Sequence, residues 1–393
     1  MTKSSFKWRQ VMAITLLCSL SSVLSAKTIP STVTLPDSIG TTGDSVTWVK
    51  QLKKYCEGPA SDSNGVMFFT EQGGRNSDNW PIWKIDPSNP SDTGEVFLLE
   101  SSQANGLLFD KDGKLVAAQK GKITRFNADG SVDKVLAQSG NGATFNKAND
   151  LSIGTDGSLY FTDLNTDIFY VSPKGELSSV LTNANGPNGI EYIEETKSIF
   201  INETKTNLVS RYEQGEKGLL INRTTFISEI NIPDGATFDE QGNYYSASFM
   251  DGTIYVFNTA GVKIGSIAIH TPTSHDNTMT GIRGNTSNCA FGGPENKTLF
   301  ITGDGGLFSI KLKIAGRRLP NQTVPSRRIL SSPSFLPESF SVFANIGSPV
   351  LLFQGNSSTA YKVYDLSNKY IGMYNQSMDG AWNFQSGFFL LKK

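Results

Sequence analysis

The side chains of most chemical interest in this chain recur at one place in a repeat. Aligned on successive turns, Glu57, Asn105, Asn149 and Asp234 each stand eight residues before the second residue of a turn, Asn188 stands ten before, and Cys289 takes the sixth place. Five of the six are carboxylates or carboxamides. They are hard oxygen donors carrying two negative charges, a set suited to Ca2+ or a similar divalent cation. A structural zinc is poorly served, because a full set of Cys and His ligands is missing. Gly58, Gly106, Gly189 and Gly235 neighbour four of these residues and let the backbone run close to a bound group. Taken singly, each Asn or Asp reads as readily as a turn cap. Recurrence at one repeat position is what argues for a shared site.

The elements that must position this column follow from the turns. These are Asn64-Gly65, Asp112-Gly113, Asp156-Gly157, Lys197-Ser198, Gln241-Gly242 and Asn296-Lys297, separated at their second residues by 48, 44, 41, 44 and 55 residues. A β-rich run follows each turn (Val66 to Phe69, Leu115 to Ala117, Leu159 to Phe161, Ile199 to Ile201, Tyr244 to Ser246 and Leu299 to Ile301), and a further strand-like run follows that. Asp-Gly between apolar runs is a strong hairpin signal. Periods of roughly 40–50 residues with about four strands each mark the blades of a propeller. The expected fold is all-β: a six-bladed β-propeller over 47–315, with the column facing its central channel. A β-sandwich, the alternative all-β architecture, has no such fixed period.

Composition agrees with that class. The chain has 393 residues, 38 of them Gly, with 35 Lys and Arg against 36 Asp and Glu. That balance gives no reason to expect nucleic acid or an anionic membrane as partner. The N-terminus reads as a secretory signal over 1–26: Lys3, Lys7 and Arg9 precede an apolar stretch, Val11 to Leu24, and small residues Ser25 and Ala26 close it. The expected location is therefore secreted, periplasmic or cell-surface. No other run has the length and apolarity of a membrane span. With Cys18 in the signal, Cys56 and Cys289 remain, either as a disulfide or as two small buried hydrophobes. Seven Asn-x-Ser/Thr sites in a chain this rich in Asn, Ser and Thr carry no inference.

Several segments resemble the gluconolactonase/regucalcin (senescence marker protein) family, over most of 50–315. Cys56-Glu57-Gly58-Pro59 resembles its first-blade metal motif. Asn149-Asp150-Leu151, Pro187-Asn188-Gly189-Ile190 and Pro233-Asp234-Gly235-Ala236 resemble its later site motifs. Asn288-Cys289-Ala290-Phe291-Gly292-Gly293-Pro294 followed by Leu299-Phe300-Ile301-Thr302 resembles its last-blade signature, and is the most specific of these matches. Carried over residue by residue, the resemblance implies Glu57, Asn188 and Asp234 as metal ligands. It implies Asn149 as a fourth ligand or a water-mediated substrate contact, and Asp234 also as the general base or water-orienting carboxylate. Asn105 and Asp150 are candidate substrate contacts. The implied activity is hydrolysis of a sugar-derived lactone by a monomer with one divalent metal, Ca2+ first, with Zn2+, Mn2+ and Mg2+ as alternatives.

Other chemistries find little support. No G-x-S-x-G elbow, P-loop or dinucleotide fingerprint is present. His270 and His275 lie in one polar stretch, and their spacing does not argue for a catalytic pair. Two rivals remain: a phosphotriesterase or aryl-ester hydrolase on the same metal, and a non-catalytic propeller whose ion is structural. After the propeller, 27–46 having preceded it as a separate N-terminal segment, 316–335 reads as a basic linker containing Pro and Ser. Residues 336–393 read as a small β-sandwich-like domain with strands near 340–343, 349–353, 360–364 and 388–391. Its Tyr361-Lys362-Val363-Tyr364-Asp365-Leu366-Ser367 and Ser386 to Lys393 segments resemble C-terminal sorting domains of bacterial type IX secretion, the alternative being an ordinary β accessory domain.

Overall fold

The computed structural model describes residues 28–73, 80–164, 167–269, 285–293 and 295–318 in full, and six further strands beyond residue 340 as backbone. The expected signal segment, His270, His275 and Pro294 lie outside the described residues. The chain divides into two units, Met1–Asn321 and Gln322–Lys393.

The first unit is an all-β, propeller-like arrangement, with helical structure confined to single 3-10 turns among the described residues. Its strands run antiparallel within each repeat. Leu107–Phe109 to Val132–Gln138, Ala148–Ile153 to Leu177–Leu181, and Pro187–Ile193 to Leu220–Ser228 are successive four-stranded sheets. Pro233–Phe238 to Lys263–Ile269 form the next, with Ser31–Thr34 added at its outer edge. There are five sheets rather than the six expected from the repeat, because the strand Thr47–Ser61 is continuous. Thr47 to Tyr55 pair with Thr298–Lys311, and Cys56 to Ser61 pair with Met67–Glu71, so the last and first repeats share one six-stranded sheet. The N-terminal part of that strand thereby closes the chain onto itself, which removes two long sheet edges.

Local sequence explains the hairpins. The Oδ1 atoms of Asp62, Asp110 and Asp239 each accept two backbone N–H groups of the turn that follows, at 2.8–3.0 Å. Each such Asp ends the first strand of its repeat and folds the next two residues back. The β-rich runs after the turns are buried on both faces. Leu159 and Phe161 pack toward the preceding repeat and Tyr160 toward the following one; Ile199 and Ile201 divide from Phe200 in the same way, as do Tyr244 and Tyr245. Successive strand residues point to opposite faces, so a strand wedged between two neighbours reads as a continuous apolar run. One hydrophobic cluster fills each junction between successive repeats, and the last-to-first junction is filled by Cys56, Met67, Phe69, Phe300 and Leu307. Cys56 and Cys289 are separate buried thiols in two different clusters.

The N-terminal segment is part of this unit: Ile29, Val33, Leu35, Ile39 and Val46 are buried in the cluster that also holds Phe291 and Phe308. Gly316 and Arg317, assigned to the linker by composition, are also bound to it. Gly316 N donates to Asn296 O at 2.8 Å, Arg317 N donates to Phe238 O at 2.8 Å, and the Arg317 guanidinium reaches Glu191 at 3.0 Å. The second unit contains two three-stranded antiparallel sheets. One joins Ser341–Ala344, Val350–Gln354 and Trp382–Asn383; the other joins Tyr370–Asn375, Ala360–Asp365 and Phe389–Lys392.

The first strands of the repeats touch one another in order around a closed ring. Their close approach depends on glycine. A methyl group on Gly58 would collide with Asn105 O, on Gly106 with Asn149 O, on Gly189 with Asp234 O, and on Gly235 with the Asn288 carboxamide. Gly58 also has φ +53°, in the left-handed region. Gly58→Ala combines that backbone strain with a main-chain collision and should destabilise the protein by about 2–4 kcal/mol. Urea unfolding measures this; an unchanged midpoint would show that the ring has slack at this contact.

Candidate functional site

In most repeats the first strand is interrupted by a bulge, and the column residues sit in it. Register shifts fall between Glu57 and Ala60, Ala148 and Leu151, Pro187 and Ile190, and Pro233 and Ala236. A bulge re-aims the extra residue and leaves its polar groups out of the ladder. Asn149, Asn188 and Asp234 are thereby turned inward, buried to 2%, 8% and 5% exposure, and Glu57 is 4% exposed.

These side chains form one connected network. Asn149 Nδ2 donates to Asn188 Oδ1, and the Asn188 carboxamide lies near enough to Asp234 to favour its charged form. Tyr55 Oη lies 3.2 Å from Asp234 Oδ2 and 3.4 Å from Glu57 Oε1. Glu57 Oε2 accepts the Gly58 N–H at 3.2 Å, and Asn288 bonds Glu57 as well. Asn288 Nδ2 donates to both oxygens of Asp150 at 3.0 Å. Glu57, Asn149, Asp150, Asn188 and Asp234 are thus brought together. Asn105 stands at the ring through its main chain, which Thr70 Oγ1 bonds at 3.1 Å, but its carboxamide is not part of this network. From beneath, Asn202 Nδ2 donates to Asp234 O, and Tyr244 Oη donates to Asn202 Oδ1 at 2.9 Å.

Two residues escape the sequence reading. Cys289 is not the sixth column residue. Its thiol is 2% exposed in the apolar cluster with Tyr245 and Phe291, facing Tyr245 O. The residue at the ring is Asn288. The left-handed position of the last turn belongs to Asn296, at φ +54°, as it belongs to Gly157 in the third repeat; counting eight back from Asn296 rather than from Lys297 gives Asn288. The irregular count to Asn188 has a similar origin, since a 3-10 turn, Glu194–Thr196, lengthens that hairpin before left-handed Lys197. Tyr55 had a legible signal, because residues i and i+2 of a strand share a face and Tyr55 precedes Glu57 by two.

Electrostatics sets the chemistry. Burial pushes the Glu57 carboxyl well above the ordinary carboxylate range, and the charges of Asp234 and Asp150 push it further, against the Gly58 and Asn288 hydrogen bonds. Burial and then the charge of Asp150 raise Asp234, against Tyr55, Asn188 and the Gly235 N–H. Burial raises Asp150 to about 7, against the Asn288 bond. Among the described residues none of the three is ion-paired to Lys or Arg. Three buried carboxylates this close cannot all ionise without a counter-charge.

A divalent cation fits these residues. Asp234 Oδ1 and Asn105 Oδ1 are buried without a hydrogen-bond partner, and buried oxygens are seldom left so. Among the described residues no three His, Cys, Asp or Glu converge as a metal cluster of their own. A cation here would draw on carboxamide oxygens as well, through Glu57, Asp234 and Asn188, with Asn149 beside them. That donor set favours a hard ion.

The SMP-30/Gluconolactonase/LRE-like region, a known protein family, matches residues 57–304. A gluconolactonase of Zymomonas mobilis is 26% identical over 300 residues, spanning 67% of this chain and 80% of that protein. A pentonolactonase of Haloferax volcanii is 24% identical over 218 residues, spanning 53% and 69%. The solved structure of a gluconolactonase from Xanthomonas campestris superposes with a TM-score of 0.60 at 21% identity, over 75% of this chain and 99% of that one, a likeness of fold.

The carboxylates make stability depend on pH. An unfolded Asp titrates near 3.9, whereas folded Asp150 titrates at about 7. The folded state therefore holds this proton more tightly, and its stabilising contribution is complete below pH ~4 and lost as pH rises through ~7. In chelator, the melting temperature should fall across that window, and less steeply in Asp150→Asn. Equal slopes would remove Asp150 from the buried cluster.

Proposed function

This chain belongs to the SMP-30/gluconolactonase/LRE-like family, and from that premise we propose that it is a metal-dependent hydrolase of a sugar-derived lactone. The observation that carries the reading is the bare Asp234 Oδ1, buried beside Glu57 and Asn188 in a ring of oxygen donors. The relatives named as lactonases supply the substrate class. We count the fused six-stranded sheet as two blades, which keeps six in the ring.

Lactone hydrolysis needs a water made nucleophilic and a place for the negative charge that develops on the carbonyl oxygen. Glu57, Asn188 and Asp234 would hold the cation, Ca2+ by donor hardness, and Asn149 completes the set or meets the substrate. Bound there, the ion supplies Lewis-acid stabilisation of the carbonyl oxygen. Asp234 Oδ1 would orient the attacking water and take its proton. The proton then passes to the ring oxygen as the ester bond breaks, giving the free hydroxy acid with no covalent enzyme intermediate. Asn105 and Asp150 are the candidate contacts for substrate hydroxyls. The signal-like N-terminus supports action outside the cytoplasm.

Assay on glucono-lactone with and without chelator tests this directly. Hydrolysis should vanish in chelator and return with Ca2+, and Asp234→Asn should lose about 100-fold or more in kcat. A protein whose melting temperature drops in chelator, yet which turns over no lactone with any divalent ion, would instead carry a structural ion.

A further inference from the structure

The lactonase reading leaves one group at the carboxylates without a role, the Tyr55 hydroxyl. It reaches Asp234 Oδ2 at 3.2 Å and Glu57 Oε1 at 3.4 Å. One phenolic proton serves one acceptor at a time, and the shorter contact is to Asp234. The two oxygens of Asp234 are therefore unlike. Oδ2 accepts from Tyr55, while Oδ1 is buried with no hydrogen-bond partner. Glu57 is anchored on its other oxygen, Oε2, by the Gly58 N–H.

A carboxylate exchanges its two oxygens by rotating about the bond to its side-chain carbon. A fixed donor on one of them decides which is left bare. Tyr55 is fixed at both ends. Its backbone pairs with Asp304 in the strand Thr298–Lys311, and its ring meets Phe249 edge-on, with centroids 5.8 Å apart at 67°. The 3-10 turn carrying Phe249 is itself tied down through Asp251, which accepts from Asn231 Nδ2 at 2.8 Å, Ser248 Oγ at 2.9 Å and Tyr255 Oη at 3.1 Å.

We infer that Tyr55 is a positioning residue that reaches from the junction of the last and first repeats to the fifth and holds Asp234 with Oδ1 toward the cation and the attacking water. Its kinetic consequence rests on the lactonase reading, whereas its effect on cation affinity does not. Groups that orient a metal's ligands typically contribute 10- to 100-fold in affinity or activity. Tyr55→Phe keeps the ring and removes only the hydroxyl. Calorimetric titration with Ca2+, Mn2+, Mg2+ and Zn2+ in turn should show its dissociation constant for the ion that parent binds raised about 10-fold or more. On glucono-lactone, kcat should fall by a similar factor while KM stays within about two-fold. Phe249→Ala keeps the hydroxyl but frees the ring, and should shift affinity in the same direction by less.

Parental affinity in Tyr55→Phe overturns the inference, including the case where only its melting temperature in chelator has fallen. So does a parent that binds none of the four ions. Should Tyr55→Phe fail to fold, parental affinity in Phe249→Ala overturns it instead. A parent that binds an ion but hydrolyses no lactone refutes the hydrolase reading, and the ratio of affinities still judges Tyr55.

Discussion

Three carboxylates buried against one another are the constraint on which the rest of the site depends. Glu57, Asp150 and Asp234 are each less than a tenth exposed, and each raises or is raised by another's charge. A protein interior tolerates such a group only with protons, hydrogen bonds or a counter-ion. The surrounding carboxamides supply part of the compensation, since Asn288 donates to Asp150 and Asn188, from another repeat, favours the charged form of Asp234. What they do not cover is one oxygen of Asp234. The chemistry proposed for this protein is concentrated at that atom.

The ring of first strands is what makes so costly an arrangement sustainable. Each junction between repeats has its own apolar cluster, so the stabilisation is spread around the ring rather than concentrated near the acids. Bulges turn the column residues out of the ladder, and glycines then let neighbouring first strands meet main chain to main chain. Rigidity matters for function here. A carboxylate that orients water must hold its angle, and Asp234 is held through Tyr55 on its side chain and Asn202 on its carbonyl.

Much of this was legible in the chain. Turns recurring every 41–55 residues gave the hairpins, because an Asp ahead of the turn caps it in three repeats and Gly accepts the left-handed backbone in four. The same period gave the column at Glu57, Asn105, Asn149, Asn188 and Asp234. The count failed in the last repeat, where Asn296 takes the place of glycine and the turn looks one residue later than it is. That displaced the site from Asn288 to Cys289. The sheet count failed for a related reason: nothing in Thr47–Ser61 marks where one strand's pairing passes from the last repeat to the first.

By itself the sequence determined which residue types recur and at what spacing, and so the all-β class, the repeat and most of the polar column. These are local matters, fixed by turn chemistry and by strands wedged between two apolar neighbours. Tertiary structure alone decided which side chains meet. Tyr55 touches Asp234 across 179 positions and Asn288 touches Asp150 across 138. Ring closure sets those distances, and no spacing along a chain encodes them.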